Sequence, residues 1–335
     1  MNIFTQLFGK KYDFVAIGDI VVEPFIKLEV GEIKDGPHGK ELDLPYGTKI
    51  PYESETFVAG VGNSANAAVS ASRLGLKTAL VSFIGDDNNG ILCLDVLKKE
   101  KVSTDFIVTE KGKLTNHHFV LWEGDDRTIL VKHEDFSYTL PSIGEPAWVY
   151  LSSLSEKSKD FHHEIATYLM GRPAIKLAFQ PGTFQMKLGL EELKDIYSRT
   201  NVLCVNKEEA QSILQTEAVD IKILLTEMSK LINGIMIITD GPHGSYMMEN
   251  SIAYQVPIYP DIAPAIERTG AGDAFFSTFV AYLAKGLTAQ EALKRAPINS
   301  MSVVEKIGAQ EGLLSHEKIE ELLLQAPATY TITTL

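Results

Sequence analysis

The sequence predicts an α/β protein of 335 residues, a three-layer α/β/α domain around a mainly parallel sheet with a small β-sheet attached. Three observations lead there. Short apolar runs alternate with helix-like segments over most of the length, the pattern of βαβ units. Two segments, 22–58 and 115–133, break that rhythm with alternating residues around Gly/Asp turns. No Pro/Gly/Ser-rich linker divides the chain, so residues 1–335 are expected to form a single domain with those two segments as a lid.

In order along the chain, residues 14–17 open an apolar run that stops at Gly18 and reads as a buried strand. Residues 66–74 place small and apolar residues at helical spacing and end at Gly75, a C-cap. A strand follows at 78–84 and a short amphipathic helix at 91–99. The runs at 148–151, 175–179, 202–205 and 235–239 repeat the strand signal between helical stretches. The two exceptional segments turn at Asp35-Gly36 and at Gly124-Asp125-Asp126 and read as short antiparallel strands. An isolated hairpin is marginal in water, so the two are expected to form one joint sheet or to pair with a second subunit as a homodimer.

Composition bounds the function. Hydrophobic residues make up 45% and charged residues 22%, and the formal charge is −13. An acidic surface repels phosphate backbones, which argues against a nucleic-acid partner. Cys93 and Cys204 both sit in apolar runs and read as buried free thiols, as in a reducing compartment. The N-terminal stretch has no secretory pattern, and no run of about 18 apolar residues suggests a membrane span. A cytoplasmic protein is expected.

The chemistry concentrates at Glu267-Arg268-Thr269-Gly270-Ala271-Gly272-Asp273-Ala274-Phe275, a Gly-rich turn followed by an apolar helix that ends at Gly286. Unpaired N–H groups at a helix start favour an anion, and glycine lets the backbone approach it. Asp273 in the first turn adds a carboxylate beside that anion. Phosphoryl transfer needs this combination: donors for developing charge and a base for the attacking hydroxyl. A bare GxGD pattern is also compatible with a plain capped helix start.

The full string resembles the C-terminal signature of the ribokinase-like (PfkB) family of carbohydrate and nucleoside kinases, and the resemblance extends over nearly the whole chain. Gly60-Val61-Gly62-Asn63-Ser64-Ala65-Asn66, Arg73-Leu74-Gly75 and Phe83-Ile84-Gly85-Asp86 resemble the family's substrate-side signature. Asn206-Lys207-Glu208-Glu209 resembles its NxxE motif, and Thr239-Asp240-Gly241-Pro242-His243-Gly244 its nucleotide-side glycine turn. The segment around Asn299 resembles the adenine-side helix and loop. The resemblance implies an ATP- and Mg²⁺-dependent kinase that phosphorylates a hydroxyl of a small molecule, a sugar first (ribokinase- or fructokinase-like), a nucleoside or sugar phosphate as alternatives. It implies Asp273 as general base and the amides of Gly270, Ala271, Gly272 and Asp273 as an anion hole. Asn206, Glu209, Thr239, Gly241, Gly244 and Asn299 would serve the nucleotide, with Glu209 reaching Mg²⁺ through water. Glu23, Gly62, Asn63 and Asn66 would serve the acceptor.

The departures bear on substrate. Glu267 stands where the family usually has an Asp belonging to a monovalent-cation site, which leaves potassium activation open. Glu23 stands where sugar kinases often carry a substrate-binding Asp, and Val61-Gly62-Asn63 replaces the usual Gly-Gly-Lys. Each residue also has a plainer reading: Glu209 as an acid at a helix start, Asn66 as an N-cap, and the adjacent pairs His117-His118 and His162-His163 as surface or lid packing rather than zinc ligands. Gly60-Val61-Gly62-Asn63-Ser64-Ala65 also fits a dinucleotide fingerprint after a strand at 56–59, which would make an NAD-binding oxidoreductase. That reading leaves the TGAGD string unexplained, and an inactive binding protein leaves Asp273 unexplained.

Overall fold

The computed structural model describes residues 12–36, 39–123 and 126–335. Gly124 and Asp125 of the expected second turn, and the stretch before Tyr12, lie outside the described residues. The strands are β1 (Phe14–Ile17), β2 (Val21–Leu28), β3 (Glu32–Gly36), β4 (Gly39–Asp43), β5 (Tyr52–Val61), β6 (Thr78–Gly85), β7 (Ser103–Glu110), β8 (Asn116–Glu123), β9 (Asp126–Lys132), β10 (Trp148–Leu151), β11 (Lys176–Phe179), β12 (Val202–Asn206), β13 (Ile235–Thr239), β14 (Ser245–Glu249), β15 (Ile252–Val256) and β16 (Thr333–Thr334). The helices are α1 (Asn63–Arg73), α2 (Asn88–Lys99), α3 (Lys159–Met170), α4 (Thr183–Leu188), α5 (Lys194–Arg199), α6 (Lys207–Leu214), α7 (Ile221–Ser229), α8 (Ala271–Ala284), α9 (Ala289–Val304) and α10 (His316–Gln325).

A 10-stranded sheet runs in the order β16-β15-β14-β13-β12-β11-β10-β1-β6-β7. It is parallel from β13 through to β7 and closes at the other edge with an antiparallel meander. Strand alternation sorts the core into two layers. Phe14, Ala16, Leu80 and Tyr150 pack with α1, α8, α9 and α10 on one face. Val15, Ile17, Val81 and Leu151 pack with α3, α5, α6 and α7 on the other. Both faces of β1 are buried, which is why its sequence is a continuous apolar run rather than an alternating one.

The two irregular segments do meet. β2, β5, β8 and β9 form a 4-stranded sheet in the order β5-β2-β8-β9. The expectation of purely antiparallel strands needs correction: β2 and β8 run parallel. Each leaves the C-terminal end of a parallel main-sheet strand, β1 or β7, so they depart in the same direction. β3 and β4 do not join this sheet; they pair with each other as a separate antiparallel 2-stranded sheet whose side chains are largely exposed. The inner face of the 4-stranded sheet carries Glu23, Phe25, Val58, His118, Val120, Trp122 and Ile129, as period-2 pairing of Phe25 with Val120 and of Val120 with Ile129 requires. Its small core is Phe25, Val120 and Trp122, closed by Val58, Ile129 and Ile307.

The strand expected at 56–59 belongs to β5 of this second sheet, not to the parallel sheet. A dinucleotide fingerprint needs its turn to follow a strand of a βαβ unit. The turn at 60–65 does not, which removes the NAD reading.

Candidate active site

Asp273 lies at the third position of α8, whose N-cap Gly270 has φ 83°. A Cβ on Gly270 would stand 2.3 Å from the Cβ of Ala309, so both the left-handed backbone and the close approach require glycine. α8 is buried along its length by Phe275, Phe276 and Phe279, so its first turn is held by the core and faces the C-terminal ends of the parallel strands.

The Asp273 carboxylate is buried at 6% exposure, yet it is fully engaged. Asn63 Nδ2 donates to Oδ1 at 2.8 Å, Asn66 Nδ2 donates to Oδ2 at 2.8 Å and Gln180 Nε2 donates to Oδ1 at 3.3 Å. These amides are held in turn. Gln310 Nε2 donates to Asn66 Oδ1 at 3.0 Å and to Gly60 O at 2.8 Å, and Tyr150 Oη donates to Gln180 Oε1. Burial raises the Asp273 pKa, the amides of Asn66, Asn63 and Gln180 draw it back, and the Glu23 charge raises it. Asn66 is therefore not an N-cap: α1 begins at Asn63 after Gly62, and the Asn66 amide is turned to Asp273. Gly62 has φ 112°, and a Cβ there would meet Asp19 O at 2.6 Å.

Two clefts meet at this helix start. The larger, about 870 Å³, is lined by Glu23, Gly62, Asn63, Asn66, Gln180, Asn206, Glu209, Gly270 and Asp273, with His118, Arg127, Ile129 and Val131 from the second sheet. The smaller, about 380 Å³, lies between the 241–244 turn and α9 and is lined by Gly244, Ala271, Phe275, Pro297, Ser300 and Met301. Thr239, Gly241, Pro242, Arg268 and Gly272 line both. Gly241 and Gly244 have φ 47° and 90°, and a Cβ at Gly244 would strike Val256 O at 2.3 Å.

Asn206 and Glu209 form a reciprocal capping box: Glu209 N donates to Asn206 Oδ1 at 2.7 Å, and Asn206 N donates to Glu209 Oε2 at 2.8 Å. The helix-start reading of Glu209 thus holds together with its place in the cleft wall. Burial raises its pKa, the Asn206 amide opposes this, and Asp273 and Glu208 add to the rise. Among the described residues, no group of three or more His, Cys, Asp or Glu is placed to hold a metal ion by itself.

Asn299 is the sequence candidate that the fold does not bring to the site. It is fully buried, donating to Thr278 Oγ1 at 2.7 Å and accepting from Leu314 N at 2.8 Å, and it lines neither cleft; Ser300, next to it, does line one. Glu267 is buried with its carboxylate oxygens accepting from Thr269 N at 2.7 Å and Gly308 N at 3.1 Å. The adjacent histidines part company. His118 faces the cleft beside Glu23, whereas His162 is buried against Ser158 O and Gln185. Sequence reasoning missed Gln180 and Gln310, and it gave no role to Arg127, in the expected second lid segment, or to Arg268, in the Gly-rich string, both of which line the larger cleft. Gln180 also carried a usable signal, its place just after a buried parallel strand, where ligands gather in such sheets.

A family model described as pfkB family carbohydrate kinase matches residues 31–316. The chain is 30% identical over 280 residues to a ribokinase of Bacillus subtilis, covering 78% of this chain and 87% of that protein. It is 24% identical over 257 residues to a probable fructokinase of Arabidopsis thaliana, covering 70% and 76%. Among solved structures, an Arabidopsis thaliana ribokinase complexed with ribose and ATP superposes with a TM-score of 0.76 at 19% identity, covering 94% of this chain and 99% of that one. A Methanocaldococcus jannaschii nucleoside kinase gives 0.74 at 19%, covering 95% and 100%. No helix among the described residues is long and apolar enough to cross a membrane. With the family model spanning most of its length, the chain belongs to the pfkB family of carbohydrate kinases.

Proposed function

We propose that this protein transfers the γ-phosphoryl group of ATP to a hydroxyl of a sugar, with Asp273 as the base. The observation that carries this is the position of Asp273, a desolvated carboxylate on a helix N-terminus where two clefts join. The smaller cleft takes the nucleotide, with its phosphates directed along Gly241 and Gly244 toward Gly272. The larger takes the acceptor, with Glu23, Asn63 and Asn66 as hydroxyl partners. Asp273 accepts the proton of the attacking hydroxyl. The amides of Gly270, Ala271, Gly272 and Asp273, reinforced by the helix dipole, stabilise the charge on the transferring group. Arg268, which lines both clefts, adds a fixed positive charge where they meet.

Mg²⁺, when bound, neutralises the triphosphate. Glu209 would hold it through water, since one of its oxygens accepts the Asn206 amide and its carboxylate sits in the cleft wall. The second sheet acts as a lid of a single kinase domain: its inner face supplies Glu23, His118, Arg127, Ile129 and Val131 to the acceptor cleft, and closure would exclude water. Pairing with a second copy through this sheet belongs to the same proposal; light scattering decides it.

The test is a phosphorylation screen with Mg·ATP across free sugars, nucleosides and sugar phosphates. Turnover of a free sugar is expected. Turnover restricted to nucleosides or sugar phosphates would replace the acceptor class, and no turnover in any class, with Mg·ATP still protecting the fold on heating, would remove the kinase reading.

A further inference from the structure

A buried chain of titratable side chains links the acceptor cleft to the main sheet. Glu23 on β2 and His118 on β8 face each other with Oε1 and Nδ1 3.2 Å apart. His118 Nε2 lies 3.0 Å from Nε2 of His133, which follows β9. The two ring planes are 23° apart with centroids 5.1 Å apart, so the rings meet nitrogen to nitrogen, and Phe184 lies against His133. His133 Nδ1 in turn lies 3.6 Å from Oδ2 of Asp19, at the end of β1. Those last two atoms are buried and each lacks any hydrogen-bond partner, so each is the other's counterpart. Tyr138 Oη donates to Asp19 Oδ1 at 2.8 Å and so fixes that carboxylate. Side-chain exposures are 9% for Glu23, 14% for His118, 13% for His133 and 4% for Asp19.

Two imidazoles joined Nε2 to Nε2 share one proton, and this couples the ends of the chain. The 3.6 Å between Asp19 Oδ2 and His133 Nδ1 is just beyond hydrogen-bond reach, so a small approach of the two atoms completes the chain. With the proton on Asp19, His133 then accepts at Nδ1 and donates from Nε2. His118 then accepts at Nε2 and donates from Nδ1 to Glu23. When that proton leaves, His133 must turn its Nδ1–H toward the Asp19 carboxylate. The Nε2 link reverses, and His118 presents a lone pair to Glu23 Oε1. No heavy atom moves more than a hydrogen-bond adjustment; only tautomers change.

We propose that His118 and His133 are positioning residues that hold Glu23 for the acceptor and relay the protonation of Asp19 to it. The proposal rests on Glu23 being an acceptor ligand. Burial pushes Asp19 up to about 6 and His133 down to about 4, and both shifts put the shared proton on Asp19. The charged and titratable groups around the chain are Asp273, which feels the Glu23 charge, Tyr138 on Asp19, His117 and Lys132 beside His118, Glu134 after His133, and Arg127 in the cleft wall. Sign follows from the chain: the Glu23 contact is intact below the Asp19 titration and is lost as pH rises through it.

The experiment has two arms on the full chain. In the first, ¹⁵N-labelled histidine is followed by NMR between about pH 5 and about pH 8, a range that brackets the raised Asp19 value of about 6. His118 should carry its proton on Nδ1 at the low end and on Nε2 at the high end. Asp19→Asn, whose amide mimics the protonated acid, should lock the Nδ1–H form throughout, and His133→Phe should abolish the transition. In the second arm, His133→Phe should raise acceptor KM about tenfold with kcat changed much less, the size of one lost hydrogen bond to a charged group. Asp19→Asn should be the milder variant and should remove the rise of KM with pH. A His118 tautomer indifferent to pH and to both substitutions would overturn the relay. So would an acceptor KM unmoved by His133→Phe. If the screen finds no acceptor at all, the function proposed above fails, and the NMR arm still decides whether the chain exists.

Discussion

The two walls of the larger cleft are built by different means. The floor is α8 and the parallel-strand ends. There Asp273 is clamped by Asn63, Asn66 and Gln180, which are themselves held by Gln310 and Tyr150, and Gly270 sits against Ala309 with no room to move. The roof is the second sheet, whose own cluster of buried residues, among those described, is Phe25, Val120 and Trp122. Its outward residues Phe57, Phe119 and Leu130 are exposed. The difference teaches a division of labour. The proposed base, Asp273, has to be held within a fraction of an ångström, and the large core does so. The proposed lid sits on an element with a small core of its own, as a surface that opens requires.

The largest expected effect tests the floor. Asp273→Asn should lower kcat at least about a hundredfold, the lower end of general-base contributions, while Mg·ATP still protects the fold in a thermal-shift assay. Turnover near wild type would remove Asp273 from catalysis. Gly270→Val adds a side chain at positive φ and into Ala309. A loss of about 1–3 kcal/mol of unfolding free energy, read from urea titration, is expected together with loss of activity. An unchanged midpoint would mean that the floor is softer than its contacts indicate.

The roof should respond in KM rather than in kcat. Replacing residues 116–131 by a short Gly/Ser linker removes β8, most of β9, His118 and Arg127. Acceptor KM should rise at least about tenfold, roughly 1.4 kcal/mol of binding. The ratio of ATP hydrolysed to product formed should rise as well. If the shortened protein folds and both quantities stay put, the sheet is not a lid.

Two smaller effects sharpen the electrostatics of the floor. Desolvation raises the Asp273 pKa, and in the proposed mechanism its carboxylate works only when ionised, so kcat should fall as pH drops through that raised value. Asn66→Ala removes a donor that favours the carboxylate. It should move this acid limb upward by about one unit, the equivalent of one charge-assisted hydrogen bond. An unmoved limb would assign it to another group. Glu209→Gln keeps an oxygen to accept the Asn206 amide and so spares the helix cap. The Mg²⁺ titration of rate should shift by a few-fold, about the weight of one water-mediated contact, with acceptor KM unchanged. Superimposable curves would leave Glu209 as a helix-start acid alone.

The amino-acid sequence by itself determined the repeating strand–helix order, the parallel sheet and the identity of Asp273. Strands buried on both faces are written as continuous apolar runs, and a Gly-rich turn before an apolar helix is local information. Asn66 and Glu209 were legible as polar residues at helix starts, but the sequence left open whether they capped or served. The tertiary structure decided that Asn66 donates to Asp273 while Glu209 both caps α6 and lines the cleft. It placed Asn299 in the core, because on a helix buried as α9 is, one residue's rotation separates the cleft-lining Ser300 from an interior neighbour. It set β2 beside β8 in parallel, a pairing between segments far apart in sequence that no local pattern encodes. The contacts of Gln180 and Gln310, and the line from Glu23 through His118 and His133 to Asp19, join segments far apart in sequence. Periodicity shows which face a residue takes; only the packed sheets show what stands opposite it.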